Sequence, residues 1–183
     1  MRATRNVMIV GLAIGTGLLT MGAVSRPGLV PDPSWLTWNP GTKTVTFKLI
    51  AGLTGGGAKS PFNFNGYVDG ELTLVVPDSA TTVMNFVNED GTPHSAVVIA
   101  DQDPMPNMAE NSVIPRAYTI KATEGLGYYQ KDVMRFRATP PGGYRIFCGV
   151  PGHGLSGMWI RLKVDPEAKA PSMVETLHDP RAK

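Results

Sequence analysis

The stretch RIFCGVPGHGLSGMW, residues 145–159, holds the only cysteine of the 183-residue chain, Cys148, with His153 and Met158 following at steps of five residues. Four glycines and one proline lie among these three side chains, a composition typical of a tight, stiff turn. A thiol, an imidazole and a thioether are also potential metal ligands. The stretch therefore predicts a turn that carries a metal site.

The flanking sequence indicates which way these side chains point, because residues two apart on a strand share one face. The fourth candidate ligand is His94, which precedes the apolar run SAVVIA. Each candidate is in phase with apolar neighbours: Cys148 with Tyr144 and Ile146; Met158 with Ile160, Leu162 and Val164; His94 with Ala96 and Val98. We therefore expect all the ligands to point inward and to converge at one end of the domain, with the turn folding His153 back beside them.

The rest of the pattern predicts an all-β sandwich, since short apolar runs recur with turn signals every ~8 to 12 residues. Residues 101–131 are predicted to be loop or a short helix, apart from one strand over residues 117–122. The glycine-rich loop after residue 50 is not a phosphate cradle, because no helix follows it. The clearest strand predictions are residues 43–50, 71–76, 81–88, 132–138 and 157–164.

The chain divides into four predicted segments, with one domain of ordinary size. Residues 1–25 are a signal anchor or signal peptide, and residues 26–42 are a proline-rich linker. The β-sandwich domain that carries the metal site is predicted to span residues 43–166. Residues 167–183 are predicted to form a tail, with one helical turn near residues 174–177 and a solvated His178.

The N-terminal segment has two arginines, Arg2 and Arg5, followed by an apolar run over residues 7–24 without ionisable side chains. This run exceeds the ~7 to 15 residues of a signal-peptide core and falls just short of the ~20 of a membrane span. Arg26 and Pro27 would hinder cleavage after Ser25, which favours a retained anchor with the domain outside the membrane. A cleaved signal and a buried core helix are the alternatives.

Charge and cysteine content exclude several function classes. Without Arg2 and Arg5 the basic and acidic residues are equal in number at 15 each. The part of the chain expected to be exported therefore has no net positive charge that would attract nucleic acid. A single cysteine cannot form an internal disulfide. A free thiol outside the cell would oxidise readily, which favours a protected role for Cys148.

The ligand types indicate the metal. One thiolate, two imidazoles and a weak thioether form the type 1, blue copper set, whereas structural zinc usually gathers several cysteines. Each residue has a simpler explanation when taken alone: Met158 as core filler, Cys148 as an inert buried thiol, His94 as a turn residue. The chain has only three histidines, however, and two of them stand where the copper set needs them.

Three segments, FNFNGY at residues 62–67, TPHSAVVI at residues 92–99 and CGVPGHGLSGMW at residues 148–159, resemble the sulfocyanins, membrane-anchored cupredoxins. The ligand spacing is shared with the rusticyanins, and the FNFNG segment and the GMW ending favour sulfocyanin. The resemblance implies a Greek-key β-sandwich, one copper bound by His94, Cys148, His153 and Met158, and one-electron transfer in a respiratory chain. Ser95 stands where many cupredoxins have asparagine, which leaves open whether it ties the two ligand segments together.

The resemblance also implies partners and a location. We expect a monomeric carrier, not an enzyme, that docks transiently with cytochromes or a terminal oxidase near His153. We expect it to be anchored through residues 7–24 and to face the periplasm or the cell exterior. The alternatives are a Cys148–His153 nucleophile and base, a copper-binding subunit of an oxidoreductase or terminal oxidase, and a copper store or chaperone.

Overall fold

The structure is a computed structural model, and it describes residues 30–55, 58 and 60–176. These residues form nine strands and one short 3-10 helix, Pro33–Trp35. The strands are β1 (Leu36–Asn39), β2 (Thr44–Ala51), β3 (Leu72–Pro77), β4 (Thr81–Asn88), β5 (Val97–Ala100), β6 (Lys131–Arg137), β7 (Gly142–Phe147), β8 (Trp159–Asp165) and β9 (Ser172–Glu175).

The strands form two sheets, with the orders β1-β2-β4-β6 and β5-β7-β8-β3-β9. The chain crosses repeatedly from one sheet to the other, so β2 pairs in parallel with β4 and β3 in parallel with β8, while the remaining pairs are antiparallel. Crossing between sheets in this way is what a Greek-key sandwich requires. The all-β, cupredoxin-like prediction is confirmed.

The core lies between the two sheets and is built largely from alternate residues of the strands. In β3 the buried positions alternate with half-buried ones, and from Ile160 onward the buried positions of β8 alternate with less buried ones. Burying each of these large aliphatic side chains contributes about 1.5–3 kcal/mol. The alternation therefore largely determines which face of each strand turns toward the core. The residues predicted to share a face with the ligands are all buried here: Tyr144, Ile146, Ile160, Leu162, Val164, Ala96 and Val98.

The outer face of the five-stranded sheet has its own small apolar cluster, which includes Phe147 and Trp159 and is covered by loop residues between β5 and β6. The guanidinium groups of Arg145 and Arg161 lie 4.6 Å and 5.2 Å from the Trp159 ring centroid. Arg145 also pairs with Asp101 at 2.7 Å. These contacts fix the first residue of β8, directly after Met158.

The predicted domain, residues 43–166, is too short, because strands at both of its ends lie outside these bounds. Within the proposed linker, the 3-10 helix begins after Asp32, whose side chain accepts a hydrogen bond from the Ser34 amide at 2.8 Å. Strand β1 then pairs antiparallel with β2. The linker prediction is wrong for these residues. The prolines lie on either side of the short strand, so the amides within it remain available to pair with β2.

The predicted tail also contributes to the sandwich. Strand β9 pairs antiparallel with β3, and Met173 packs against the core, so the predicted helical turn is wrong for residues 174 and 175. His178 lies outside the described residues. The predicted strand over residues 117–122 is also wrong, since this segment forms only an isolated bridge between Tyr118 and Val97.

The predicted anchor over residues 1–25 lies outside the described residues as well. Within the part of the chain that the structure describes, no helix has the length and apolarity needed to cross a membrane.

Candidate copper site

The candidate ligands lie where strands of the five-stranded sheet end or begin. Cys148 directly follows β7, and Met158 directly precedes β8. The two strands are antiparallel neighbours, so the ends of the connecting loop lie side by side, and the Cys148 amide donates to the Met158 carbonyl at 3.0 Å. His94, Cys148 and Met158 are all fully buried. The inward direction predicted from strand phase is confirmed for each of them.

The loop between Cys148 and Met158 is held by its backbone. The Gly152 amide donates to the Asn107 carbonyl at 2.8 Å, and the Met158 amide donates to the His153 carbonyl at 3.1 Å. A side chain at position 149 would overlap the carbonyl oxygen of Ala109, which explains why a glycine stands there. The loop therefore returns His153 to Cys148, as predicted.

Three donor atoms converge inside this loop. His94 Nδ1 lies 3.2 Å from His153 Nδ1, and Cys148 Sγ lies 3.5 Å from His153 Nδ1. One ligand atom from each of the three residues lies within 4.8 Å of the others, close enough to contact one metal ion. Met158 adjoins this cluster through its backbone bonds to Cys148 and His153.

The electrostatics of the site favour neutral imidazoles. Burial lowers the pKa of His94, although the neighbouring Asp90 opposes this effect. Burial also lowers the pKa of His153, and the proximity of His94 lowers it further. Neutral imidazoles keep a nitrogen lone pair for a metal at neutral pH.

The pKa of the Cys148 thiol shifts upward, and burial is again the main cause. Burial raises the pKa of Cys148, while hydrogen bonds from the backbone amides of Ser95 and Val150 lower it in part. A metal at this site would take the thiolate, so binding would release the thiol proton.

Ser95 joins three segments around the sulfur. Its hydroxyl donates to the Ala122 carbonyl at 2.6 Å and accepts from the Gly149 amide at 3.0 Å. The same oxygen lies 3.9 Å from Cys148 Sγ. The question that the sequence left open is thereby answered, because this serine ties the His94 segment to the ligand loop.

The FNFNG segment has a role that the sequence reasoning missed, since we used it only as a family resemblance. The Phe62 ring lies 4.6 Å from the His153 ring, measured between centroids. Asn65 holds the segment in place by accepting from the Ile50 amide at 3.0 Å and donating to the Lys48 carbonyl at 2.9 Å. Two asparagines between aromatic residues were the available signal for such a backbone-bound loop.

Asp90 was also missed. Its Oδ2 lies 3.3 Å from His94 Nε2, on the side of the ring opposite the donor cluster. The only signal in the sequence was its position four residues before His94 in the turn NEDGTP.

The surface around His153 is largely apolar. Leu155 is 53 % exposed, Pro151 is exposed, and His153 and Val150 are half-buried. Gly154 does not contribute to this surface, because it is buried against the Phe147 ring.

Comparison with known proteins supports the same assignment. The family model described as "Sulfocyanin (SoxE) domain" matches residues 31–175. A sulfocyanin from Sulfolobus acidocaldarius is 28 % identical over 120 residues, which cover 62 % of this chain and 60 % of that relative. The alignment thus spans less than two thirds of the relative's length.

Two solved structures are also similar. Rusticyanin from Thiobacillus ferrooxidans is 25 % identical, with 72 % of this chain and 88 % of that chain covered and a TM-score of 0.48. Auracyanin from Roseiflexus castenholzii is 19 % identical, with 66 % and 97 % covered and a TM-score of 0.48.

The family match extends from the 3-10 helix region to β9, so it covers both edge strands as well as the ligand loop. Sulfocyanins are cupredoxins, which bind one type 1 copper and carry electrons rather than catalyse reactions, and the three converging donors fit that cofactor. This chain therefore belongs to the sulfocyanin (SoxE) domain family of blue copper proteins.

Proposed function

We propose that the protein carries single electrons between respiratory-chain partners at the outer face of the membrane, with His94, Cys148, His153 and Met158 as ligands of one copper. The observation that supports this most directly is the convergence of Cys148 Sγ and the two histidine nitrogens within 4.8 Å. Copper bound there would alternate between Cu(II) and Cu(I), and sulfur donors stabilise the reduced form.

The contribution of the chain itself is a site that changes little between oxidation states. The ligand loop is fixed at both ends by the bond between Cys148 and Met158 and at its middle by Asn107. Ser95 also fixes the start of the loop, because its hydroxyl accepts a hydrogen bond from the Gly149 amide. A rigid, buried ligand set limits the rearrangement that accompanies each electron transfer.

The nucleophile alternative fits the structure less well. Cys148 is fully buried, and burial raises its pKa, whereas reactive thiols are partly exposed and have lowered pKa values. The alternative also gives no role to His94 or Met158. A role as a copper-binding subunit of a larger oxidoreductase remains the second candidate, because it uses the same site.

Substitution of the thiol tests the copper assignment. For Cys148→Ser we expect loss of the blue absorption band, because the colour arises from charge transfer between thiolate and copper. The fold should persist, since two sheets build the core; circular dichroism checks this. The matched control is Met108→Leu, at an exposed methionine, which should keep the band. A blue band in the Cys148→Ser protein would refute the assignment.

We place the electron exit at the apolar surface around His153. The exposed Leu155 and Pro151 surround a half-buried imidazole edge, and surfaces of this kind suit brief docking. The balanced charge of the exported part agrees with this, because it offers little long-range steering.

A charge on this surface should interfere with docking. We expect Leu155→Asp to slow reoxidation of the reduced protein by native membranes about threefold to tenfold, with the copper spectrum and the rate with ferricyanide unchanged. Val133→Asp is the control, because Val133 is 57 % exposed on β6, away from the ligand loop. An unaffected Leu155→Asp rate together with a slowed Val133→Asp rate would move the exit to the face of the four-stranded sheet.

We further propose that residues 7–24 anchor the protein in the cell membrane, with the domain on the periplasmic or exterior side. The support is the apolar run behind two arginines.

A further inference from the structure

The two histidines of the site have different ring surroundings. The carboxylate of Asp90 approaches His94 Nε2 at 3.3 Å. The Phe62 ring packs against the His153 ring, and among the described residues the polar contacts of the His153 ring are made by its Nδ1. One imidazole thus meets a charge, and the other meets an aromatic surface.

Asp90 is held in place by the turn around it. Its Oδ1 accepts from the Thr92 amide at 3.2 Å, which leaves Oδ2 for His94. Its own amide donates to Asn88 Oδ1 at 2.9 Å. Gly52, at φ +65°, allows the turn to approach, because a side chain there would overlap the Asp90 Cβ.

The His94 backbone is fixed by the same group of residues. Its amide donates to the Leu126 carbonyl at 3.1 Å, and the Leu126 amide donates back to the His94 carbonyl at 2.7 Å. Asn88 Nδ2 donates to the carbonyls of Leu126 and Thr92, each at 2.8 Å. Asn88 therefore connects the segment opposite His94 to the turn that carries Asp90.

We propose that Asp90 is the positioning residue of His94: its carboxylate accepts a hydrogen bond from Nε2–H, which leaves the lone pair of Nδ1 directed toward Cys148 and His153. A carboxylate is an acceptor only, so it selects the imidazole form that carries its proton on Nε2. The inference rests on the proposed copper site for its consequences, but the selection of this form is a property of the chain alone.

A carboxylate behind one ligand has two consequences for bound copper. It makes the His94 imidazole a stronger donor, and such partners typically change metal affinity about 10- to 100-fold. Its negative charge also favours Cu(II) over Cu(I), which lowers the reduction potential. His153 has no comparable carboxylate among the described residues, so the asymmetry belongs to the His94 side.

The first measurement uses the metal-free wild-type protein. Long-range proton–nitrogen NMR spectra distinguish a histidine protonated at Nε2 from one protonated at Nδ1, and we expect the Nε2 form to dominate for His94. Dominance of the Nδ1 form would overturn the proposal. This readout needs no copper, so it stands even if the proposed function fails.

The second measurement compares Asp90→Asn with Glu167→Gln, which removes an equal charge from an exposed site beyond β8. For Asp90→Asn we expect a mixture of both imidazole forms, Cu(II) affinity lowered about 10- to 100-fold and a raised reduction potential. Glu167→Gln should match the wild type in all three. Asp90→Asn values equal to those of Glu167→Gln would overturn the proposal. Wild-type protein that gains no blue band with Cu(II) would refute the proposed function while leaving the NMR result valid.

Discussion

At the scale of the residue, the site depends on a hydroxyl that binds no metal. Ser95 is fully buried. Its hydroxyl donates to the Ala122 carbonyl and accepts from the Gly149 amide, and its oxygen lies 3.9 Å from Cys148 Sγ. Removing a buried group of this kind leaves its former partners unsatisfied, which costs more than the hydrogen bonds themselves contribute. The serine therefore contributes to the stability of the fold and to the polar surroundings of the Cys148 sulfur.

We expect Ser95→Ala to lower the free energy of unfolding by about 1–3 kcal/mol, because one buried amide and one buried carbonyl lose their partner. Urea denaturation followed by circular dichroism measures this. Ser156→Ala is the control, since Ser156 donates to Gly152 from an exposed position in the same loop, and its cost should stay below about 0.5 kcal/mol. Equal stability of the two variants would show that Ser95 is dispensable.

The candidate ligands themselves could be predicted because strand phase is a local property. Cys148, Met158 and His94 each share a face with apolar residues close in sequence. Asp90 and Phe62 could not be predicted in this way, since their contacts with the histidines depend on how loops of different strands meet. Long-range loop contacts leave no periodic trace in the sequence.

At the scale of the element, the two sheets end in strands that the sequence reasoning did not find. Strands β1 and β9 have four residues each and lie at the edges of different sheets. Short edge strands next to prolines carry little periodicity, although their backbones complete the pairing of β2 and β3. Their assignment required the partner strand, which only the folded chain supplies.

We expect truncation after Pro166, which removes β9, to expose the β3 edge and to promote self-association. It should also lower the free energy of unfolding by about 1–2 kcal/mol through loss of edge hydrogen bonds and of the partly buried Met173. Analytical ultracentrifugation and urea denaturation measure the two effects. Truncation after Thr176 keeps β9 and should behave as the full chain. A monomeric, equally stable chain ending at Pro166 would show that the β3 edge needs no cover.

At the scale of the whole molecule, the all-β architecture could be predicted because turn signals and alternation recur along the chain. The pairing of strands could not, since parallel neighbours such as β2 and β4 are separated by β3 in the sequence. The covering of the five-stranded sheet by the loop between β5 and β6 was likewise not predicted. Both features arise from crossings between the sheets.

The N-terminal segment predicts how the molecule partitions in the cell. We expect the full chain to sediment with membranes, and a chain beginning at Pro27 to stay in solution with the same blue band, because the described domain begins after the apolar run. Fractionation with immunoblotting measures this. Native protein recovered in solution, with an N-terminus just after Ser25, would instead identify a cleaved signal peptide.

The backbone hydrogen bonds that hold the ligand loop also bear on whether folding or copper binding comes first. The bonds from Cys148 to Met158 and from Gly152 to Asn107 link peptide groups, and none of them uses a donor atom of the site. We therefore expect the chain to reach its final form without a metal, unlike small zinc domains that fold only around their ion. Copper binding can then follow folding, and the half-buried imidazole of His153 marks the side from which an ion would enter.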